Sequence, residues 1–187
     1  MLIRKATPQD AEFVAMVLME ALSRKALNED GSLKAELAEL HRQVVRLVLH
    51  EGTLYHWRHA TLAVGDDGTP MGGLIAYDGA RYHEMRQLTF DLFEGKPDFD
   101  PEQMEDESRA GEYYLDSLCT LPPYRRHGVG ASLLRQGIAD AKALGLRATL
   151  AVSPENPKAA ALYAQMGFRD NGPMFIFGET YRRYCIS

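Results

Sequence analysis

The run Arg125-Arg126-His127-Gly128-Val129-Gly130-Ala131 stands between a stretch of strand-forming residues and an amphipathic stretch. It therefore sets two glycines and unpaired backbone N–H groups at the start of a helix. First-turn amides have no intrahelical acceptor, the helix dipole adds partial positive charge, and glycine lets an anion approach without meeting a Cβ. The chemistry this suits is anion binding, a pyrophosphate above all, with Arg125 and Arg126 available for charge-assisted contacts. A Gly-x-Gly taken alone is more often just a tight strand-to-helix turn. No Gly-Lys-Ser/Thr follows, and the third glycine of a dinucleotide fingerprint would fall at Leu133, so nucleotide hydrolysis and hydride transfer lose ground.

Other residues carry chemistry by type. Asn156 precedes Pro157 at a helix start, a good N-cap position. Tyr163 lies seven residues on, about two turns, so both can face one side of that helix. Glu112, Tyr114 and Asp116 share one face of a strand by period-two alternation, which offers carboxylates for proton transfer. For Asp116, between Leu115 and Ser117, a bond to neighbouring backbone is at least as good a reading. Cys119 is the only candidate for covalent catalysis, and it sits in an apolar strand with no adjacent His to lower its pKa. His83, Glu84 and the cluster Tyr55, His56, Trp57 and His59 get no catalytic role, because such segments more often fill cores or surfaces.

The elements that must position these residues follow from the pattern. A short strand over residues 2–6 leads to Thr7 as N-cap, Pro8 at the first helical position and Asp10 near the positive dipole end, which predicts a helix to about residue 26. Leu37, Leu40, Val44, Leu47 and Val48 mark a second helix after the turn Asn28-Glu29-Asp30-Gly31. Strands 60–64 and 71–77 flank Gly65-Asp66-Asp67-Gly68-Thr69-Pro70, a hairpin. Residues 91–111, with Gly95-Lys96-Pro97 and the acidic run Glu105-Asp106-Glu107, read as a surface loop or short helix inserted between strands. Such a run is usually solvated, though it is also a hint of attraction for a polyamine or aminoglycoside. A strand over 113–120, a helix over 128–144, a strand over 147–152, a helix from Pro157 through Met166 and a closing strand pair, 174–177 and 181–185, complete the chain.

At this point the sequence resembles the GNAT superfamily of acyl-CoA-dependent N-acyltransferases. Arg125, Gly128 and Gly130 match its pyrophosphate-loop pattern. The series Asn156-x-x-Ala159-x-x-Leu162-Tyr163-x-x-x-Gly167-Phe168 matches its next motif, in the right order. The resemblance is strong over residues 113–168, and elsewhere holds at the level of element order. It implies an α/β (α+β) fold: a twisted, mainly antiparallel sheet of six or seven strands that splays near Leu118, with helices on both faces. It also implies acetyl-CoA as co-substrate, without a metal. Main-chain groups of Leu118, Cys119 and Thr120 would meet the pantetheine arm, and Arg125, Arg126, His127, Gly128, Val129, Gly130 and Ala131 the pyrophosphate. Asn156 and Ala159 would bound the arm or the acceptor. Tyr163 would be the general acid toward the coenzyme A thiolate, and Asp116 the first choice of base for the attacking amine. Some members that acetylate protein N-termini carry a glutamate five residues before that asparagine. Here the position is Ala151, which weakens that assignment.

Composition sets the outer bounds. The 187 residues fit one domain with an insertion around 91–111, and 45% hydrophobic with 25% charged residues is ordinary for a soluble protein. No apolar run is long enough for a membrane span, and the first residues lack a secretory leader's apolar core, so the expectation is a cytoplasmic protein without membrane partners. Cys119 and Cys185, isolated in apolar or aromatic company, read as buried thiols. A net charge of -5 argues against nucleic acid and welcomes an amine, on a small molecule or a peptide. The expectation is direct acetyl transfer to a primary amine in a ternary complex. A noncatalytic coenzyme A-binding or regulatory module and the use of another acyl-CoA are the alternatives, and a homodimer is left open.

Overall fold

Short runs of largely apolar residues bounded by turn-forming ones make the hairpin strands. In the computed structural model, which describes residues 1–23, 25–94 and 99–186, β1 (Leu2–Lys5) pairs antiparallel with β2 (Ala60–Val64), and β2 with β3 (Pro70–Asp78). The hairpin is closed by the bonds Gly65 N–H to Thr69 O (2.8 Å) and Gly68 N–H to Gly65 O (3.0 Å), with the Asp67 side chain accepting from Thr69 N–H. β4 (Glu112–Thr120), β5 (Arg147–Val152), β6 (Arg169–Ile176) and β7 (Glu179–Cys185) extend one sheet in the order β1-β2-β3-β4-β5-β7-β6. Of these pairs only β4–β5 is parallel.

Helices cover both faces. On one, α1 (Ala11–Ser23), α2 (Ala38–Leu49) and α3 (Tyr82–Leu92) bury Val14, Leu18, Val48 and Tyr82 against Leu62, Ile75 and Tyr114. On the other, α4 (Val129–Ala143) and α5 (Pro157–Gln165) pack on the sheet, with Leu133 and Leu134 against Leu74, Leu115 and Leu150. Each fully buried leucine contributes about 1.5–3 kcal/mol, so these faces hold the sheet that positions the site. No helix among the described residues is long and apolar enough to cross a membrane.

Three expectations need correction. α1 ends at Ser23, short of residue 26, because the Glu20 carboxylate takes the N–H groups of Ala26 and Leu27 (2.9 and 3.1 Å) and draws the chain out of the helix. Between β3 and β4 the chain forms α3, a helix the sequence pattern does not predict over these residues, because its apolar face is diluted by His83, Glu84, Arg86 and Gln87. Gly95-Lys96-Pro97, part of the stretch read as a surface loop or short helix, lies outside the described residues. The splay, finally, begins earlier than Leu118. β4 and β5 pair only from Glu112 to Tyr114, against Arg147 to Thr149. The cause lies on the other edge of β4, where Ile75 pairs with Ser117 and Ala76 with Leu115, leaving Asp116 as the extra residue of a β-bulge. A bulge bends its strand and increases the local twist, which carries the second half of β4 away from β5.

Candidate active site

The bulge leaves two strand edges facing one another across the splay. Among the described residues, β4 has no partner on its β5 side beyond Tyr114, and from Leu150 onward β5 is paired only with β7. Unpaired edge amides and carbonyls are the groups an extended ligand bearing amides can bond. Leu118 and Thr120 are half-buried on this edge, and Cys119 is buried.

α4 begins where β4 ends. Gly128 is its N-cap with φ 80°, and Arg126, two residues earlier, is also left-handed at φ 68°. Such reversals turn successive N–H groups toward one side and make an anion-binding concavity. No side chain caps the helix start, and Ser132 N–H is bonded to Gly128 O (3.0 Å), so the amides before it are the ones a ligand would meet. A Cβ on Gly130 would lie 3.3 Å from Thr120 Oγ1, so helix start and strand end are in close contact. His127 and Gly128 are exposed and Val129 is buried. Arg125 is exposed too, yet its side chain turns away from this mouth: the guanidinium donates to Glu20 of α1 (3.0 Å) and to Thr120 O (3.2 Å), tying the loop to α1.

After β5, Asn156 N–H donates to Ser153 O (2.9 Å), and Asn156 Oδ1 accepts from Ala159 N–H (3.2 Å), the N-cap of α5. The amide of Ala159 is thereby engaged. Tyr163, half-buried, has its ring 6.1 Å from Phe168 and 6.5 Å from Tyr184. Asn156 and Tyr163 from α5, Asp116, Ser117 and Leu118 from β4, and Ala151 from β5 border one cavity of about 120 Å3 in the splay. Cys119 points elsewhere, into a cluster with Val17 and Leu27, and burial raises its thiol to about 12.

The same cavity receives a residue that sequence reasoning set aside. Glu105 and Asp106 are exposed, but Glu107 is 6% exposed. The segment is pinned there from two sides. Glu105 N–H bonds Phe175 O of β6 (2.9 Å), and the buried Arg86 of α3 donates to Met104 O and Glu105 O (3.2 and 3.3 Å). Gly79 makes the approach possible, since a Cβ there would fall 2.6 Å from Arg109 O.

Glu107 and Asp116 are both held by hydroxyls. Glu107 accepts from Tyr82 (2.8 Å) and Tyr114 (2.6 Å), and Asp116 from Tyr77 (2.5 Å) and Ser117 (2.7 Å). Burial, and then the charge of Asp116, push Glu107 up to about 7 against the lowering effect of its phenol donors. Burial likewise raises Asp116, although the latter keeps one side open to the cavity. Desolvation disfavours both charged forms and repulsion disfavours having them together, so the pair holds a proton near neutral pH and can exchange it. The one signal in the sequence was the number of tyrosines bound for the core, since a buried phenol calls for a hydrogen-bond partner.

The comparisons agree with this architecture. Residues 28–168 match the model of the acetyltransferase (GNAT) family. The chain belongs to that family, which uses acetyl-CoA as co-substrate. Among solved structures it is similar to an N-acetyltransferase from Staphylococcus aureus Mu50 (18% identity, all of both chains, TM-score 0.79) and to a further acetyltransferase (24% identity, 100% of this chain and 99% of the other, TM-score 0.75). A ribosomal-protein-alanine N-acetyltransferase from Brucella melitensis shares the fold at 18% identity over 99% of this chain and 98% of its own, with a TM-score of 0.59. Among curated proteins nothing matches.

Proposed function

We propose that the protein transfers an acetyl group from acetyl-CoA to a primary amine by direct attack, with the carboxyl pair Glu107 and Asp116 as the proton acceptor. The observation that carries this reading is the placement of that pair in the one cavity that Tyr163 and the open strand edges also border. Acetyl-CoA fits the splay: the β4 edge at Leu118, Cys119 and Thr120 offers main-chain partners to the pantetheine amides. The amides from Arg126 to Ala131 suit the pyrophosphate, with Arg126 as the nearby cation. The Arg125 side chain serves this site indirectly, by fixing the loop against α1.

An amine arrives as an ammonium ion, which the buried carboxyl pair attracts and deprotonates. The nitrogen then forms a bond to the thioester carbonyl carbon, and the carbon–sulfur bond breaks. The leaving thiolate takes its proton from the Tyr163 phenol, and the second proton shed by the attacking nitrogen restores that phenol through solvent. A raised carboxyl pKa suits the base, since acid–base groups work best near the operating pH. Cys119 has no part in this route, being buried away from the splay with a raised pKa.

The test is incubation with acetyl-CoA and a panel of amines, reading free thiol and the acetylated product. Amine-dependent thiol release, with Cys119→Ala retaining near-normal turnover, is the expected result. Coenzyme A binding without amine-dependent release would make the chain a binding module instead.

A further inference from the structure

The splay cavity has a larger neighbour. Leu22, Phe177 and Tyr181 border it and at the same time border a second cleft of about 850 Å3 between α1, α2, the end of α3 and the β6–β7 turn. The two cavities therefore adjoin at these three residues, with the carboxyl pair on one side and the cleft on the other. The cleft is a space of the size that holds a drug-sized ligand. Its walls are aliphatic from α1 and α2 and aromatic from Phe90, Phe99 and Phe177. Leu22 and Leu40 line it with 52% and 36% of their surface exposed, apolar groups that water now covers.

Resting on the acetyltransferase reading above, we propose that the acceptor is a small-molecule monoamine carried on a bulky apolar or aromatic body. The body fills the cleft, and the ammonium group passes between Leu22, Phe177 and Tyr181 to reach Glu107 and Asp116. Charge and hydrogen-bonding capacity in the walls support this class over its rivals. The negative charge lies at the inner end of the path, and the charged wall residues, Lys25, Lys34 and Glu36, all come from the connection between α1 and α2. Lys25 and Lys34 outweigh Glu36 there, and this net positive charge disfavours a second cationic centre, which a polyamine or aminoglycoside would bring. A peptide would need partners for its backbone amides and carbonyls, and the Thr89 hydroxyl in this wall is already engaged with Leu54 N–H (2.9 Å) and Met85 O (2.7 Å).

The experiment compares kcat/KM at fixed acetyl-CoA for three sets of acceptors: arylalkyl and long-chain alkyl monoamines, polyamines and aminoglycosides, and peptides with a free N-terminus. The apolar monoamines should lead by about tenfold or more, as burial of one large apolar side chain's worth of surface requires. Leu40→Gln, at a position exposed enough to leave folding intact, should raise KM for an apolar monoamine by about tenfold. KM for methylamine and for acetyl-CoA should not move. A preference for polycations or peptides, or an equal loss for methylamine and the apolar amine, overturns the proposal while leaving acetyl transfer standing. If no amine releases thiol, acetyl transfer itself fails. Calorimetric titration of the protein with a long-chain alkylamine then decides the cleft alone: binding weakened by Leu40→Gln supports it, and no binding refutes it.

Discussion

Glu112 and Asp116 stand on the same strand, yet they are held in opposite ways. Glu112, buried at the start of β4, is met by guanidinium groups of Arg109 (3.3 Å), Arg147 of β5 (3.3 Å) and Arg183 of β7. It fastens three neighbouring strands where the sheet is closed. Asp116, at the bulge where the sheet opens, shares its surroundings with Glu107 and has hydroxyl partners. Arg86, whose charge acts on Glu107, is turned to Asp106 (3.1 Å) and to two carbonyls. A carboxylate neutralised by three cations holds structure. A pair held by phenols and each other's repulsion can give and take a proton. The few residues between them divide a carboxylate held by guanidinium groups from the pair proposed as the base.

The comparison can be broken by substitution. Glu107→Gln and Asp116→Asn should each lower kcat/KM for an amine about 10²–10³-fold, roughly 3–4 kcal/mol of barrier, measured by thiol release. The thermal transition should hold or rise. Glu112→Ala should do the reverse, lowering unfolding free energy in urea by about 3 kcal/mol, because partly buried Arg183 loses its partner. Equal effects of both kinds of substitution would erase the distinction.

Linkage sharpens it. The folded-state value of Glu107, about 7, lies above its ordinary 4.5, so the folded protein binds this proton more tightly than the unfolded chain. The stability this supplies is fully present below about 4.5 and is lost as pH rises through about 7. Between pH 5 and 8, therefore, the wild type should lose unfolding free energy relative to Glu107→Gln, as denaturation at each pH would reveal. A constant difference would contradict the raised value. Tyr163→Phe should cost less, about tenfold in kcat with KM for acetyl-CoA unchanged. Gly128→Ala should be smallest, about 1 kcal/mol of stability, since alanine resists the left-handed conformation at φ 80°.

What the sequence told depended on how local the determinants were. Gly128, Gly130, Asn156 and Pro157 act within a turn or two of themselves, so the start of α4, the start of α5 and the family were all legible. Apolar and aromatic runs bounded by turn residues gave six of the strands' approximate bounds, and helical spacing gave the helices with clean apolar faces, while α3, whose face is diluted by charge, was missed. Asp116 was found as a strand carboxylate, but the bulge that exposes it depends on the register with β3. Glu107 was hidden because its burial rests on contacts far along the chain, the tyrosines Tyr82 and Tyr114, the bond of Glu105 to Phe175 and the room at Gly79. An acidic run looks solvated until its partners are known. Arg125 shows the converse: a motif residue whose side chain serves α1 rather than the helix mouth.

The most direct test is the pH dependence of kcat/KM for one good amine acceptor in the wild type, Glu107→Gln and Asp116→Asn. The wild type should show an inflection near 7, with activity rising as the pair releases its proton, and neither variant should retain it. An unchanged inflection in both variants would contradict the assignment of the pair as the base.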